Sequence, residues 1–305
     1  MKWSKKGLIY APDGRYSWAK KYGIPPTPHF MADGVLRMYV GFCDDGMVGR
    51  MGYVDLDPEN PARVLGVSPR PIFDIGKPGT FDDNGVLPSS IVSHQNRLYM
   101  YYTGYQLGHR VRYYMFNGLA TSDDGGHSFT RPKSTPVTDR SDEETHNRTS
   151  AFVMHDEGVF KMWYVGGSDW VESLGRPRPV YNMRYLESED GVAWGPEGRV
   201  CLDFGSPGEH AFGRPWVLKD QGKYRMFYSY RSCNLGYRIG YAESADGLAW
   251  ERKDDQVGID VSATGWDSET ISYSSIVRHE DRVYLFYNGN NCGETGFGYA
   301  VLENW

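Results

Sequence analysis

One short phrase returns five times along the 305-residue chain: Leu36-Arg37-Met38-Tyr39-Val40, Leu98-Tyr99-Met100-Tyr101-Tyr102, Phe160-Lys161-Met162-Trp163-Tyr164, Tyr224-Arg225-Met226-Phe227-Tyr228 and Val283-Tyr284-Leu285-Phe286-Tyr287. Successive copies begin 62, 62, 64 and 59 residues apart, so the whole chain is a tandem array of five similar units. Each copy mixes large apolar with more polar residues and is rich in aromatics, which suits a strand packed between two sheets. A ring of such units cannot be divided without exposing the faces that stack on one another. The expected fold is all-β: a five-bladed β-propeller of four-stranded antiparallel blades, with residues 1–305 as a single domain.

A second repeat marks the third strand of each unit. Ser122-Asp123-Asp124-Gly125, Ser188-Glu189-Asp190-Gly191 and Ser244-Ala245-Asp246-Gly247 are each followed by an aromatic residue, Phe129, Trp194 or Trp250. Asp and Gly make a hairpin turn, Ser and Asp bond local backbone, and the ring packs between blades, so these residues read as framework. The chain ends on a third-strand segment, Gly298-Tyr299-Ala300-Val301-Leu302, and Trp3 to Tyr10 resembles an outer strand. The N-terminal strand is therefore expected to close the last blade and cover its open edge.

The formal net charge of −6 and the absence of any Lys/Arg block argue against a nucleic-acid partner. No apolar run approaches a membrane span, and Leu8-Ile9-Tyr10-Ala11 is too short for a signal-peptide core. Cys43, Cys201, Cys233 and Cys292 stand singly, without metal-site or disulfide-scaffold spacing, which suits free thiols and a cytoplasmic location. No Gly-x-Gly-x-x-Gly loop precedes a helix, and no ligand spacing demands a metal, so no cofactor is expected.

In a ring of this kind the starts of the innermost strands crowd together at one mouth. At these positions the chain stops repeating and becomes charged. Asp83, Glu144, Glu209 and Glu269 are the candidate acids and bases, with Asp83 the first choice for base or nucleophile and Glu209 and Glu269 competing as general acid. Two carboxylates across a polar funnel suit glycoside chemistry, one protonating the leaving oxygen and the other attacking or activating water. His146, Arg148, His210, Arg214 and Arg231 point to an anionic ligand, with Asp267 beside them; the alternative is that they pair with Asp82, Glu144 or Asp267 in the funnel wall. Tyr105, Trp170 and Tyr230, at the far ends of second strands, offer platforms for a sugar ring or packing between blades.

The Tyr-x-Met-Tyr/Trp-Tyr strands and Ser-x-Asp-Gly hairpins make the chain resemble, over its whole length, the five-bladed propeller glycoside hydrolases of families 43, 32 and 68, with the family 130 mannoside phosphorylases as relatives. The resemblance implies a carbohydrate-active enzyme whose partner is a small sugar, a glycan, a sugar phosphate or a nucleotide sugar. It also implies an axial channel that holds calcium in some relatives. This chain departs from the pattern where those families place a catalytic Asp on the first blade: Tyr22-Gly23-Ile24-Pro25-Pro26-Thr27-Pro28-His29 contains no acid. Hydrolysis of a glycosidic bond in the funnel is the leading expectation; phosphorolysis or transfer, and a non-catalytic sugar-binding propeller, are its rivals.

Overall fold

The computed structural model describes residues 1–173 and 175–305. The chain is built almost entirely of strands, beginning with β1 (Lys2–Tyr10). The first unit is β2 (Lys21–Phe30), β3 (Leu36–Cys43), β4 (Gly49–Asp57) and β5 (Asn60–Val67); the second is β6 (Gly85–His94), β7 (Arg97–Leu107) and β8 (Tyr113–Ser122). The third is β9 (Asn147–Asp156), β10 (Val159–Ser173), β11 (Arg176–Ser188) and β12 (Arg199–Leu202); the fourth is β13 (Glu209–Asp220), β14 (Lys223–Ser232), β15 (Leu235–Ser244) and β16 (Glu251–Arg252). The last holds β17 (Ser272–His279), β18 (Arg282–Asn288) and β19 (Phe297–Asn304).

Each repeated phrase lies on the second strand of its unit, paired antiparallel on both sides. This explains its composition, because residues from Met38 to Val40, from Met100 to Tyr102 and from Met162 to Tyr164 are fully covered on both faces. The N-terminal β1 pairs antiparallel with β19 and so forms the outer strand of the last sheet, β1-β19-β18-β17. Trp3 anchors it: the ring is buried, and its indole N–H donates to the carbonyl of Val257 at 2.9 Å. The expected fourth strand is missing only from the second unit among the described residues. Bridges Thr121–Thr130 and Asn117–Thr138 stand there instead, because Pro132 and Pro136 interrupt the segment with residues that cannot donate to a ladder.

The hairpin motif latches one unit to the next. Ser122, Ser188 and Ser244 each accept a backbone N–H, from Gly126, Gly191 and Gly247 respectively, at 2.8–3.0 Å. The same three glycines offer their carbonyls to the fourth residue of the preceding unit's phrase: Tyr39 to Gly126 at 2.6 Å, Tyr101 to Gly191 at 2.7 Å, and Trp163 to Gly247 at 2.8 Å. All three glycines have positive φ, and a Cβ at Gly126 or Gly191 would meet the tyrosine oxygen at 2.4 or 2.8 Å. The recurrence of the motif is thus a packing requirement.

The first strands contact one another in cyclic order, β2 against β6, β6 against β9, β9 against β13, β13 against β17, and β17 back against β2. Every one of them carries a register shift beside the last residue of the phrase, at Pro25-Pro26, Ser89, Ser150, Arg214 and Tyr273. Ser150, Arg214 and Tyr273 have positive φ, the local twist by which a bulge re-aims a side chain. Residues at all five shifts line a central cavity of about 70 Å³.

Candidate functional site

The central cavity is narrow and lacks a carboxylate lining among the described residues; its polar wall is the hydroxyls of Ser89, Thr103, Thr149 and Ser150. Arg214 closes it on one side with its guanidinium wholly engaged. Nη1 donates to the carbonyls of Pro26 (2.8 Å) and Tyr273 (3.0 Å), and Nη2 to the Thr27 hydroxyl (2.8 Å) and the Ser89 carbonyl (3.1 Å). One side chain thus ties β13 to β2, β6 and β17. Burial alone pushes its pKa down to about 9, as for a cation that has no acid beside it. Hydroxyls facing a guanidinium do not fit calcium, which takes several oxygen ligands including carboxylates. Arg214 is a structural joint at this cavity, with its guanidinium taken up by the wall.

The acids of the strand entrances obey a rule of their own. The final tyrosine of the phrase donates to a carboxylate in four units: Tyr102 to Asp82 (2.9 Å), Tyr164 to Glu144 (3.0 Å), Tyr228 to Asp254 (2.6 Å) and Tyr287 to Asp267 (2.9 Å). Each carboxylate also meets a cation: Arg131 at 2.7 Å, Arg148 at 3.3 Å, Arg252 at 2.6 Å and Lys5 at 2.7 Å respectively. In the first unit the phrase ends in Val40, and β2 has no acid. A phenol and a cation hold each of these four carboxylates, three of them buried and Asp254 half-buried, and the one unit whose phrase lacks the phenol has no acid on its first strand.

Several of the residues singled out from the sequence take part in such pairs, the wall-pairing alternative raised above. Glu144 and Arg148 are fully buried partners of one another in the wall, and Asp267 is tied to Lys5. Arg148 is also spent on the carbonyls of Asp139 and Pro196. Glu209 is held by Arg252 at 2.7 Å, which with burial opposing keeps its pKa below the usual carboxylate range. Tyr230 packs over the same Arg252, 5.5 Å from the guanidinium. Asp83 accepts from the N–H of Gly79 at 2.8 Å and shapes the turn ahead of β6. None of these side chains lines the open space at the mouth.

What the mouth does hold is a polar recess of about 590 Å³. Arg112, Arg176, Arg178 and Arg231 line it, together with two acidic residues from the last unit, Glu269 and Glu294. Arg231 is the expected residue, at the end of β14; it lies over the Tyr237 ring at 4.8 Å and donates to the Tyr181 hydroxyl at 3.4 Å. Its Nε is buried without a partner among the described residues. Arg176 and Arg178 reach the recess because β10 and β11 run to 15 and 13 residues and so project beyond their neighbours. Their spacing of two puts both on one face of β11. Burial and then the repulsion of Arg231 and Arg176 lower the pKa of Arg178, the sign of cations crowded without enough counter-charge. Glu269 is positioned by its own backbone, whose N–H donates to Asn290 at 2.8 Å.

The aromatic candidates fall beside this recess. Trp170 stacks on His146 with centroids 5.2 Å apart and touches Tyr113 at 5.7 Å, and Tyr113 in turn packs on Tyr105 at 4.9 Å. His146 is buried, and among the described residues its ring bonds to the Thr145 hydroxyl next to it, so it props the tryptophan.

No family model matches the chain. It is 34% identical over 304 residues to the uncharacterized protein Rv1502 of Mycobacterium tuberculosis strain H37Rv, with 100% of both proteins covered. It belongs to the Rv1502 family. MT1551 of M. tuberculosis strain CDC 1551 matches over the same 304 residues at the same identity.

Solved structures place the Rv1502 family in a known fold. The complex of BT0996 with RGII is similar with a TM-score of 0.73 at 20% identity, over 98% of this protein and 90% of the other. A structure from the GH130 family of mannoside phosphorylases, described with glycoside hydrolases that target β-1,2 mannosidic linkages in Candida mannan, gives 0.72 at 16%, over 98% and 93%. The GH43_1 enzyme from Xanthomonas citri complexed with xylose gives 0.65 at 16%, over 97% and 90%. The fold is that of the propeller-type glycoside hydrolases, as the repeated phrases and hairpins indicate.

Three arginines and one acid of the recess in this Rv1502-family protein escape a strand-start comparison. Arg112 and Glu294 lie in the connections from second to third strands, and Arg176 and Arg178 at the very start of a third strand. The signal for the last two is local: Arg176-Pro177-Arg178-Pro179 alternates cation with proline. His210 lies near the same arginines; burial, then Arg231, pushes its pKa down to about 4 from an ordinary value of 6.5. With the folded value below the unfolded one, the unfolded chain takes up a proton that the native imidazole refuses. The stability from the neutral imidazole is present above pH 6.5 and is lost as pH falls toward about 4. Denaturant titrations across that window are expected to show a steeper loss for the wild type than for His210→Gln; parallel curves would contradict the assignment.

Proposed function

We propose that this chain is a carbohydrate-active protein whose five units are the blades of one closed ring, and that the recess at its mouth takes a glycoside of an anionic or activated sugar. The observation that carries the reading is the set of four arginines around a space into which only Glu269 and Glu294 bring negative charge among the described lining residues. Guanidinium groups match carboxylate and phosphate oxygens with paired, charge-assisted donors, whereas the hydroxyls of a neutral sugar leave their charge unmet. Glu269 and Glu294 supply the two carboxylates that glycosidic bond hydrolysis needs, one to protonate the leaving oxygen and one to attack the anomeric carbon or activate water. The fold shared with glycoside hydrolases supports this reading at the level of architecture.

Calorimetric titration with glucose 1-phosphate, glucuronic acid and glucose tests it. The anionic ligands are expected to bind more tightly than glucose by at least about tenfold, and the advantage to shrink as NaCl rises from about 0.05 to about 0.5 M. Arg178→Ala removes most of the difference. Equal binding of glucose and its 1-phosphate would overturn the assignment.

A further inference from the structure

The polar recess has a neighbour. A second recess of about 530 Å³ is lined by His109, Arg110, Val111, Trp170 and Pro177 together with Arg112 and Arg176. The two recesses therefore share two arginines, Arg112 and Arg176, which stand at their junction. The chemistry changes across that junction. On one side are Glu269, Glu294 and the buried Arg231; on the other is a tryptophan between short apolar side chains. Trp170 is fixed in place by its stack on His146, and its indole N–H is covered without a hydrogen-bond partner among the described residues.

From this arrangement we propose that the ligand is a nucleoside diphosphate sugar, with its base on Trp170, its diphosphate across Arg112 and Arg176, and its sugar in the polar recess toward Glu269. The inference rests on the anionic-sugar reading above and narrows it. A neutral oligosaccharide spanning both recesses would place hydroxyls against the junction arginines and leave their charge unmet. A sugar 1-phosphate would meet the arginines but leave the aromatic recess empty. A diphosphate flanked by a flat π-system and a sugar satisfies all three regions at once, since a base stacks on an aromatic ring whatever its identity. The flanking Arg110 adds a further cation on the base side.

The test is calorimetric binding of UDP-glucose, ADP-glucose, GDP-mannose, CDP-glucose and dTDP-glucose, each against the matching hexose 1-phosphate. At least one nucleotide sugar is expected to bind tighter than its 1-phosphate by about tenfold or more, the contribution of one stacked base. Trp170→Ala and, separately, the exposed Arg110→Ala bring that nucleotide sugar down to the level of the 1-phosphate. Circular dichroism and melting of each variant report whether it is folded, and Arg110→Ala stands as the measure where Trp170→Ala is not. If hexose 1-phosphates bind while no nucleotide sugar exceeds them, this inference fails and the anionic-sugar reading stands. If no anionic sugar binds, both fail.

Discussion

Glu269→Gln and Glu294→Gln are each expected to reduce glycoside turnover by about a thousandfold, the usual scale for a general acid or base, while the protein melts as the wild type does. The two side chains lie exposed at the recess, and among the described residues their carboxylates take part in no ion pair. Asp82, Glu144, Glu209 and Asp267 differ in this respect: each is tied to a cation, and its removal strands a buried or half-buried guanidinium or ammonium group. Replacing Glu144 with Gln thus lowers stability first, whereas Glu269→Gln lowers rate alone. The leaving group sorts the two roles. An aryl glycoside, whose phenolate departs without protonation, rescues the variant that lost the acid and does not rescue the one that lost the base or nucleophile. Turnover of both variants within about threefold of wild type would remove this pair from the chemistry.

Arg214→Ala is the largest structural lesion expected from a single substitution. It removes hydrogen bonds that join β13 to three other units, takes the guanidinium donors from the carbonyls of Ser89 and Tyr273, and leaves the Pro26 carbonyl only the Ser275 hydroxyl. Hydrogen bonds to a charged group contribute about 1.5–3 kcal/mol each, but they are not additive here, and a net loss of about 5 kcal/mol follows. Arg214→Lys is not expected to rescue it, because one ammonium cannot reach carbonyls on three separate strands as a planar fork does. Guanidinium chloride unfolding measures the loss directly. A change below about 1 kcal/mol in Arg214→Lys would show that the joint is not made by the fork.

The fold was readable because it is written five times. Spacing of the phrase, its aromatic content and the Ser-x-Asp-Gly hairpins locate the second and third strands, and the pairing of β1 with β19 follows from a third-strand segment at the C-terminus. The site was only partly readable, and the reason is physical. A charge at a strand entrance is ambiguous in sequence, since burial with a partner and exposure to a ligand use the same residue types. The Tyr102–Asp82, Tyr164–Glu144 and Tyr287–Asp267 pairs join residues 20 apart, and Arg131 and Lys5 reach their acids from elsewhere in the chain. Nothing in local composition separates Glu144, a wall residue, from Glu269, a recess residue. Arg231 and Trp170 are legible as second-strand ends; Arg176 and Arg178 are not, because the length by which β10 and β11 overshoot their neighbours is a property of the folded sheet.

A crystal structure of the protein with glucose 1-phosphate is the most direct test of the central claim. Phosphate oxygens within hydrogen-bond distance of one or more of Arg112, Arg176, Arg178 and Arg231, with the sugar carbon that bears them facing Glu269 or Glu294, is the result this account predicts. Phosphate bound at the wall pairs, or sugar density in the mouth with those arginines turned away to solvent, would contradict it.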